Sequence, residues 1–293
     1  MKRVLVTGAT GNIGSEVVFY LSELNLKLDL TLGVRHLDSA KEKFYHIPTL
    51  QYRNFDFAEP NTFRSALEGV EILFLLRPPQ IADVDTYFKP LLEAAKLNGI
   101  HKIVFLSVQG AEKSKMIPHY KIEKLILKLG FEYIFIRPSY FMQNLTTTLL
   151  PEIKAKRQIT LPAGNAKFTW VDVKNIGETI ALAIKNFDDY KNKALEITGT
   201  EHKNFYEVTE LMSTIVGEQI TYRSINPISF YIVKRKEGLS REFTLVMLLL
   251  HFLPRFQKTP NLSNEYQNLT GKEPTSLEEF IKREQQIFIG KKT

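Results

Sequence analysis

Three glycines near the start of the chain have the spacing of an anion-binding turn. Gly8, Gly11 and Gly14 directly follow the apolar run 4–6 and precede a helix-like segment. In this pattern the first glycine permits a tight turn, the second lets the backbone approach a diphosphate, and the third lets helix and strand pack closely. The helix N-terminus then offers unpaired N–H groups to the phosphates. A turn kept only for packing is the alternative, but the order of strand, glycines and helix favours a dinucleotide site. The residues that this motif assigns to the cofactor are Gly8, Thr10, Gly11, Asn12, Ile13 and Gly14.

The end of the next apolar run indicates which dinucleotide is bound. A site for NAD usually places an acidic residue here, to accept hydrogen bonds from the ribose hydroxyls, whereas this chain has Arg35. A guanidinium could pair with a 2′-phosphate and stack on adenine, with help from His36 and Lys41. The alternative is a solvated surface arginine. We therefore expect NADP as the cofactor, with NADPH preferred over NADH.

Two further strand ends should lie along the same ligand. Asp56 and Phe57 follow the third apolar run, where a carboxylate could accept a hydrogen bond from the adenine amino group, although a turn or cap role for Asp56 fits as well. Leu76 and Arg77 follow the fourth run. Ligands of open parallel sheets bind outside the carboxyl ends of the strands, so these residues are also assigned to the cofactor.

The elements that must position these residues alternate along the first half of the chain. Apolar strand-like runs alternate with amphipathic helical segments, which is typical of a parallel sheet covered on both faces. The fold class is therefore α/β, a Rossmann-type doubly wound parallel sheet with a smaller C-terminal α/β lobe. We expect a dinucleotide-binding domain over 1–150, with 165–200 returning to it, and a smaller substrate or lid lobe over 201–293. The predicted strands are 3–7, 28–34, 50–54, 72–76, 102–107, 133–136 and 194–198.

Composition narrows the class of protein. The 293 residues include no cysteine, which excludes disulfides, thiolate metal sites and a cysteine nucleophile. The net charge is +7, with basic residues along much of the chain, which suits an anionic small ligand. The most apolar stretch, 245–253, is too short to span a bilayer. The start of the chain resembles a buried strand rather than a signal peptide. We expect a cytoplasmic monomer or homodimer that binds a small-molecule acceptor, with no nucleic acid, metal or membrane span.

Several motifs in the correct order resemble the NmrA-like atypical short-chain dehydrogenases. They are the glycine turn, the Ser-Val-Gln-Gly of 107–110, the segment 136–144, the Trp-Val-Asp-Val of 170–173 and the Leu-Thr-Gly-Lys-Glu-Pro of 269–274. The resemblance covers nearly the whole chain. It implies a dinucleotide-binding fold, in a family that includes NADPH-dependent quinone and azo or dye reductases. The family also includes nitrogen-regulation proteins that bind the dinucleotide without turning it over.

The candidate catalytic residues are His119, Tyr120 and Lys124. Ordinary short-chain dehydrogenases use a serine with Tyr-x-x-x-Lys, and Ser107, Tyr120 and Lys124 offer those residue types. In related families, however, a glutamate commonly follows the lysine by four residues. Glu123 fits that glutamate, which moves the lysine position to His119 and makes the Tyr120–Lys124 spacing a coincidence. An exposed helix residue without a role is a further alternative for His119.

The resemblance assigns the remaining site residues to the nicotinamide end. The segment 138–144 should line it, where Phe141 and Met142 would exclude water and Asn144 would orient a polar acceptor, unless it caps a helix. The aromatics of 227–260 could form an acceptor pocket or ordinary core, and the same choice applies to Phe168 and Trp170. The additional cofactor residues are Ser107, Val108, Pro138, Tyr140 and Phe141, and the substrate residues are Gln109, Met142, Asn144, Phe168 and Trp170.

Three functions follow from these residues. The first is an NADPH-dependent oxidoreductase that transfers hydride to a small planar acceptor such as a quinone or azo compound, which needs little acid catalysis. The second is a non-catalytic, redox-sensing regulator, which predicts an exposed apolar patch on the second lobe. The third is a sugar-nucleotide epimerase or reductase, which requires Tyr120 as its acid–base residue.

Overall fold

The computed structural model describes residues 2–24 and 28–289, and their elements alternate as the sequence predicts. Residues 1, 25–27 and 290–293 of the predicted domains lie outside the described residues. The elements up to residue 138 are β1 (Lys2–Thr7), α1 (Asn12–Glu23), β2 (Leu28–Val34), α2 (Leu37–Lys43), β3 (Gln51–Asn54), α3 (Phe63–Leu67), β4 (Ile72–Leu76), α4 (Val84–Leu97), β5 (Lys102–Leu106), α5 (Pro118–Lys128) and β6 (Glu132–Pro138). Those that follow are β7 (Tyr140–Phe141), α6 (Leu150–Lys156), β8 (Gln158–Leu161), β9 (Phe168–Val171), α7 (Val173–Lys185), α8 (Phe187–Tyr190), β10 (Lys193–Ile197), β11 (His202–Lys203), α9 (Phe205–Val216), β12 (Thr221–Ser224), α10 (Pro227–Lys236), α11 (Arg241–Phe252), α12 (Glu265–Thr270) and α13 (Leu277–Phe288).

The chain divides into two compact units. The first comprises the described parts of 1–138, 173–197 and 265–272, and the second comprises 139–172, 198–264 and 273–289. The expected boundary at residue 150 therefore differs from the observed one. Residues 139–150 belong to the second unit because β7 pairs with β9 there. Residues 265–272 belong to the first because Tyr266 of α12 donates a 2.6 Å hydrogen bond to Glu178 of α7.

The first unit is built on a seven-stranded parallel sheet in the order β10-β6-β5-β4-β1-β2-β3. The predicted α/β class and doubly wound sheet are confirmed. The inner strands are apolar because helices cover both faces, and most residues of the central β1 and β4 are buried. The strand order reverses between β1 and β4, which creates the crevice where ligands of such sheets bind. Gly177 of α7 packs so closely on Glu16 of α1 that an added Cβ would lie 2.6 Å from the Glu16 Cβ.

The second unit surrounds a separate apolar core. β7, β9 and β11 form a three-stranded sheet in which β9 is central, and β8 pairs with β12. Helices α9 and α13 contribute Phe205, Met212 and Phe280 to this core. Both helices begin with a capping box, and that of α13 is formed by Ser276 and Glu279. None of the helices in the described ranges is both long and apolar enough to cross a bilayer.

Candidate functional site

The glycine turn between β1 and α1 is shaped by contacts that exclude larger residues. Gly8 has a φ of +64°, which a residue with a Cβ adopts only with strain. The amide of Gly11 donates to the Gly8 carbonyl at 3.0 Å and closes the turn. A Cβ on Gly14 would lie 2.1 Å from that carbonyl oxygen, so α1 can approach β1 only with glycine there.

The outer side of this turn is open to an anionic ligand. Thr10, Gly11 and Asn12 are exposed, whereas Ala9 and Gly14 are buried beneath them. Since the N-cap residue Gly11 has no side chain and the first turn of α1 has no acidic residue, its backbone N–H groups are not capped by a neighbouring carboxylate or hydroxyl of that turn. The open backbone cradle and the N-terminus of a 12-residue helix fit a diphosphate.

Two side chains that the sequence analysis missed fix the turn. The buried Thr7 hydroxyl donates to the Phe74 carbonyl at 3.0 Å and accepts from the Leu76 amide at 2.9 Å. It therefore holds the ends of β1 and β4 together where the strand order reverses. Lys43 of α2 donates to the Thr10 carbonyl at 2.8 Å and brings a cation beside the glycines. Neither partner is close in sequence, so no local pattern indicated these contacts.

The residues after β2 form an exposed basic segment. Arg35 and His36 are exposed, and Lys41 lies 4.0 Å from Asp38 one helical turn away. Among residues 2–24 and 28–289, none makes a hydrogen bond or ion pair with Arg35. A solvent-accessible guanidinium at this strand end can accept an added phosphate without first breaking an internal salt bridge.

The pair after β3 has roles within the protein. The Asp56 carboxylate accepts from the Ala58 amide at 2.9 Å, which is the turn role that the sequence left open. The Phe57 ring is buried, 4.9 Å from the Phe55 ring and 5.3 Å from the Phe88 ring. Phe57 could therefore reach a cofactor only through its backbone.

Arg77 folds back onto its own loop and onto His119. Its guanidinium donates to the carbonyls of Pro78, Pro79 and Ile81 at 2.7–3.1 Å, and its Nε donates to His119 Nε2 at 3.3 Å. Since arginine only donates, Nε2 accepts and the neutral imidazole holds its proton on Nδ1. Burial, together with the charge of Arg77, lowers the pKa of His119 to about 3. His119 is therefore neutral at physiological pH and is not an imidazolium acid.

Ser107 belongs to a buried ionic network. Its hydroxyl donates to Glu123 at 2.6 Å, and Arg137 forms a bidentate pair with the same carboxylate at 3.0 and 2.7 Å. Arg137 also pairs with Glu112 at 2.8 Å. The network joins the end of β5, the buried side of α5 and the end of β6. Ser107 is thus occupied by the glutamate that the resemblance singled out.

Tyr120 and Lys124 lie together on α5 and make a cation–π contact. Lys124 lies on the exposed side of α5, and its Nζ is positioned over the Tyr120 ring, 5.5 Å from the centroid. The buried side of this helix is formed by Ile122, Glu123 and Ile126. The four-residue spacing of Tyr120 and Lys124 on the helix accounts for this cation–π contact. Ser107 is paired with Glu123 and not with Tyr120.

The remaining predicted residues of the first unit lie at the ends of β5 and β6. The Gln109 amide side chain donates to Glu196 at 3.1 Å, and its backbone N–H donates to the Pro138 carbonyl at 2.9 Å. Pro138 is buried and Val108 is half-buried. Gln109 therefore has a structural partner in addition to the substrate role predicted for it.

In the second unit, Tyr140 is paired with a histidine that the sequence analysis missed. The Tyr140 hydroxyl lies 2.9 Å from His251 Nε2, and His251 Nδ1 lies 2.7 Å from the Met247 carbonyl. A carbonyl only accepts, so Nδ1 carries the proton and Nε2 accepts from Tyr140. Burial lowers the pKa of His251 to about 4 and raises that of Tyr140.

Most other candidates in the second unit are core residues. Phe168, Trp170 and Met142 are at most 6% exposed, and the Trp170 indole donates to the Lys203 carbonyl at 3.0 Å. For Phe168 and Trp170 this is the core alternative that the sequence left open, and Met142 is buried in the same core. Phe141 and Asn144 are half-buried; Asn144 ends a short 3₁₀ helix and hydrogen-bonds Tyr140, so it does not cap α6. The aromatic residues of 227–260 include both core and surface positions, because Phe230 is buried, whereas Phe243 and Phe256 are exposed.

Known proteins resemble this chain over most of its length. The model of the NmrA-like family matches residues 1–281. Prestalk A differentiation protein A of Dictyostelium discoideum is 28% identical over 279 residues, which cover 95% of this chain and 91% of that protein. The NAD(P)H azoreductase of Xenophilus azovorans is 30% identical over 226 residues, 76% of this chain and 77% of the azoreductase.

A solved structure agrees with the fold described above. The NADPH-dependent quinone oxidoreductase of Escherichia coli, complexed with NADPH, superposes with a TM-score of 0.83 at 20% identity, covering 96% of this chain and 99% of that one. Together with the family match over residues 1–281, this agreement confirms the resemblance seen in the motifs. The chain belongs to the NmrA-like family.

Proposed function

We propose that this protein is an NADPH-dependent reductase that transfers hydride to a small planar, electron-poor acceptor such as a quinone or azo compound. One observation carries the proposal: an open dinucleotide cradle lies in a unit where Ser107 and His119 are engaged by other residues and Ser107 is not joined to Tyr120 and Lys124. Ser107 donates to Glu123, His119 is neutral, and Lys124 covers the ring of Tyr120. Reduction of a quinone or azo group suits such a site, because the acceptor stabilises the electron pair that it receives.

Each part of the cradle has a role in this proposal. The first-turn amides of α1 hold the diphosphate, and Lys43 stiffens the turn through its 2.8 Å bond to Thr10. Arg35 pairs with the 2′-phosphate, which gives the preference for NADPH over NADH. When bound, the nicotinamide supplies the hydride. The acceptor gains that electron pair, and water supplies the proton that completes the reduced product.

The test is oxidation of NADPH, followed by absorbance, with a panel of quinones and azo dyes. Turnover that is faster with NADPH than with NADH, and that survives Tyr120→Phe, is the expected result. Loss of all turnover in Tyr120→Phe would instead indicate the epimerase-type site. The proposal is wrong if NADPH binds tightly but no acceptor is reduced.

A second candidate is the non-catalytic, redox-sensing regulator. The observation that favours it is an exposed apolar surface on α11, where Val246 and Leu249 are each 51% exposed. Such a surface is what a protein-binding regulator requires. Tight NADPH binding without turnover, together with a partner protein held by this surface, would establish this function in place of the reductase.

A further inference from the structure

Beyond its first turn, which carries the exposed Arg241 and Glu242, helix α11 is apolar on every side. Thr244, Met247 and His251 face the core of the second unit and are buried. The opposite side is equally apolar and lies open to solvent; we call it the α11 face. A surface helix normally has a polar outer side, and a helix that is hydrophobic all round is typical of a buried or membrane environment. The exposed residues that define the α11 face are Leu245, Val246, Leu249, Leu250 and Leu253.

Neighbouring residues extend this surface. Helix α10 packs against α11 and exposes Ile228 and Ile232, while Phe256 follows α11 and is 73% exposed. Single exposed apolar residues are ordinary on a protein surface. A group of this size within about thirty residues of chain is characteristic of an interaction surface.

The same segment carries most of the net charge of the protein. Residues 223–258 contain seven lysines and arginines and two glutamates, which gives +5 of the total of +7. Lys234 is buried in ion pairs with Glu152 and Glu237, at 3.2 and 2.8 Å. The other six cations are exposed, and their positions are Arg223, Arg235, Lys236, Arg241, Arg255 and Lys258.

We propose that α10 and α11 dock on an anionic lipid surface, with the α11 face in the boundary between headgroups and acyl chains. Aliphatic and phenylalanine side chains would enter the acyl boundary, and the exposed cations of the same segment would meet the lipid phosphates. At a rise of about 1.5 Å per residue, the 12 residues of α11 extend about 18 Å, too short to span a hydrocarbon core of about 30 Å. Because the α11 face runs along the side of the helix, the helix lies in the plane of the surface. This inference goes beyond the proposed reaction and does not depend on it.

Charge and composition favour lipid over other occupants. A second copy of the chain would bring two strongly basic segments together, and their repulsion opposes a dimer through this face. An acidic protein would satisfy the cations, but the energetically important residues of protein interfaces are mainly Trp, Tyr and Arg, with Leu and Val under-represented. The α11 face consists entirely of leucine and valine.

Cosedimentation with lipid vesicles tests the proposal. The protein should bind vesicles of mixed phosphatidylserine and phosphatidylcholine, and bind pure phosphatidylcholine at least tenfold more weakly. Leu249→Asp should weaken binding to the mixed vesicles at least tenfold, because it removes apolar contact and adds repulsion. The matched control is Leu97→Asp, which makes the same change at an 89% exposed leucine of α4 and should leave binding unaltered.

A double variant tests the contribution of charge to vesicle binding. Replacing Lys236 and Arg241 together with glutamine should weaken binding on the order of 25-fold, about fivefold for each cation near the surface. Circular dichroism and NADPH binding check that every variant is folded.

Three results would overturn the proposal. They are absence of binding to the mixed vesicles, binding that Leu249→Asp does not change, and a homodimer in solution that Leu249→Asp dissociates. If the wild type captures an acidic protein but does not bind the mixed vesicles, the proposal is likewise wrong. Since the readout is sedimentation rather than turnover, the result is separate from the test of the reductase.

Discussion

Arg77 is a half-buried cation whose partners are all uncharged acceptors, and this determines what His119 can do. Burial lowers the pKa of Arg77, but the guanidinium remains the charged donor beside the imidazole. A proton on His119 Nε2 would lose the 3.3 Å bond and add a second positive charge. Any role of His119 toward a ligand is therefore that of a neutral Nδ1–H donor, which orients but does not protonate.

This state of His119 predicts a pH profile. Since its pKa is lowered to about 3, the turnover number with a quinone should show no inflection from His119 between about pH 5 and about pH 8. The profiles of the wild type and His119→Gln should have the same shape, whatever their absolute rates. An inflection near the ordinary histidine pKa that disappears in His119→Gln would contradict this assignment.

Tyr120 should be dispensable for the reaction. Its ring is covered by Lys124, and Ser107 is held by Glu123 at 2.6 Å, so the three groups do not cooperate. We expect Tyr120→Phe to change kcat by less than about threefold, far below the roughly 100-fold or greater loss when a general acid is removed. Steady-state kinetics with one quinone measure this, and Tyr133→Phe, at a partly buried tyrosine of β6, is the control.

His251 makes the stability of the protein depend on pH. Its pKa is about 4 in the folded protein, below the unfolded value of 6.5, so the unfolded chain binds more protons as the pH falls. The contribution of His251 to stability is fully present above about pH 6.5, is lost as the pH falls toward 4, and should decrease by about 2 kcal/mol between pH 7 and pH 5.

Urea unfolding at the two pH values measures this change. His251→Phe should reduce the pH dependence, whereas the control His101→Gln, at an exposed histidine, should leave it unaltered. Equal pH dependence in the wild type and His251→Phe would show that His251 is not responsible.

At the scale of elements, the approach of α1 to β1 depends on one missing Cβ. A methyl group at Gly14 would lie 2.1 Å from the Gly8 carbonyl, and this backbone atom cannot move without opening the turn. We expect Gly14→Ala to cost about 3 kcal/mol or to prevent folding. Gly11→Ala, where the added Cβ would be 3.3 Å from the same oxygen, should cost about 1 kcal/mol or less.

Urea unfolding of the two variants compares these costs. If Gly14→Ala does not fold, the comparison rests on Gly11→Ala, which should fold and bind NADPH more weakly because its methyl group occupies the open side of the turn. Equal stability of the two variants would contradict the packing described here.

At the scale of the whole molecule, the sequence predicts what local patterns encode. All seven strands of the parallel sheet are predicted, and the doubly wound order follows from the alternation of strand-like runs with amphipathic helices. The glycine turn follows from residue type and spacing. The contacts of Thr7 with β4, and of Arg77 with His119, join residues far apart in sequence, so no local pattern reveals them. Helix α11 escaped prediction for another reason: apolar on all sides, it has no 3.6-residue period.

The candidate site is predictable in part for the same reason. Arg35 was identified because the motif determines its position, and the structure places it exposed after β2. Phe57 is assigned to the cofactor because it follows a strand of the sheet. Phe168 and Trp170 are assigned to the substrate, although aromatic residues suit both pockets and cores, and only the observed burial of these side chains places them in the core.

The most direct test of this account is calorimetric titration of NADPH and NADH into the wild type, Arg35→Asp and the control Arg64→Asp, an exposed arginine of α3. The wild type should bind NADPH more tightly than NADH. Arg35→Asp should weaken NADPH binding by about 1.5–3 kcal/mol, roughly 10- to 150-fold, without weakening NADH binding, and Arg64→Asp should change neither affinity much. Unchanged NADPH affinity in Arg35→Asp would contradict the assignment of the 2′-phosphate site. Failure of the wild type to bind either nucleotide would contradict the account as a whole.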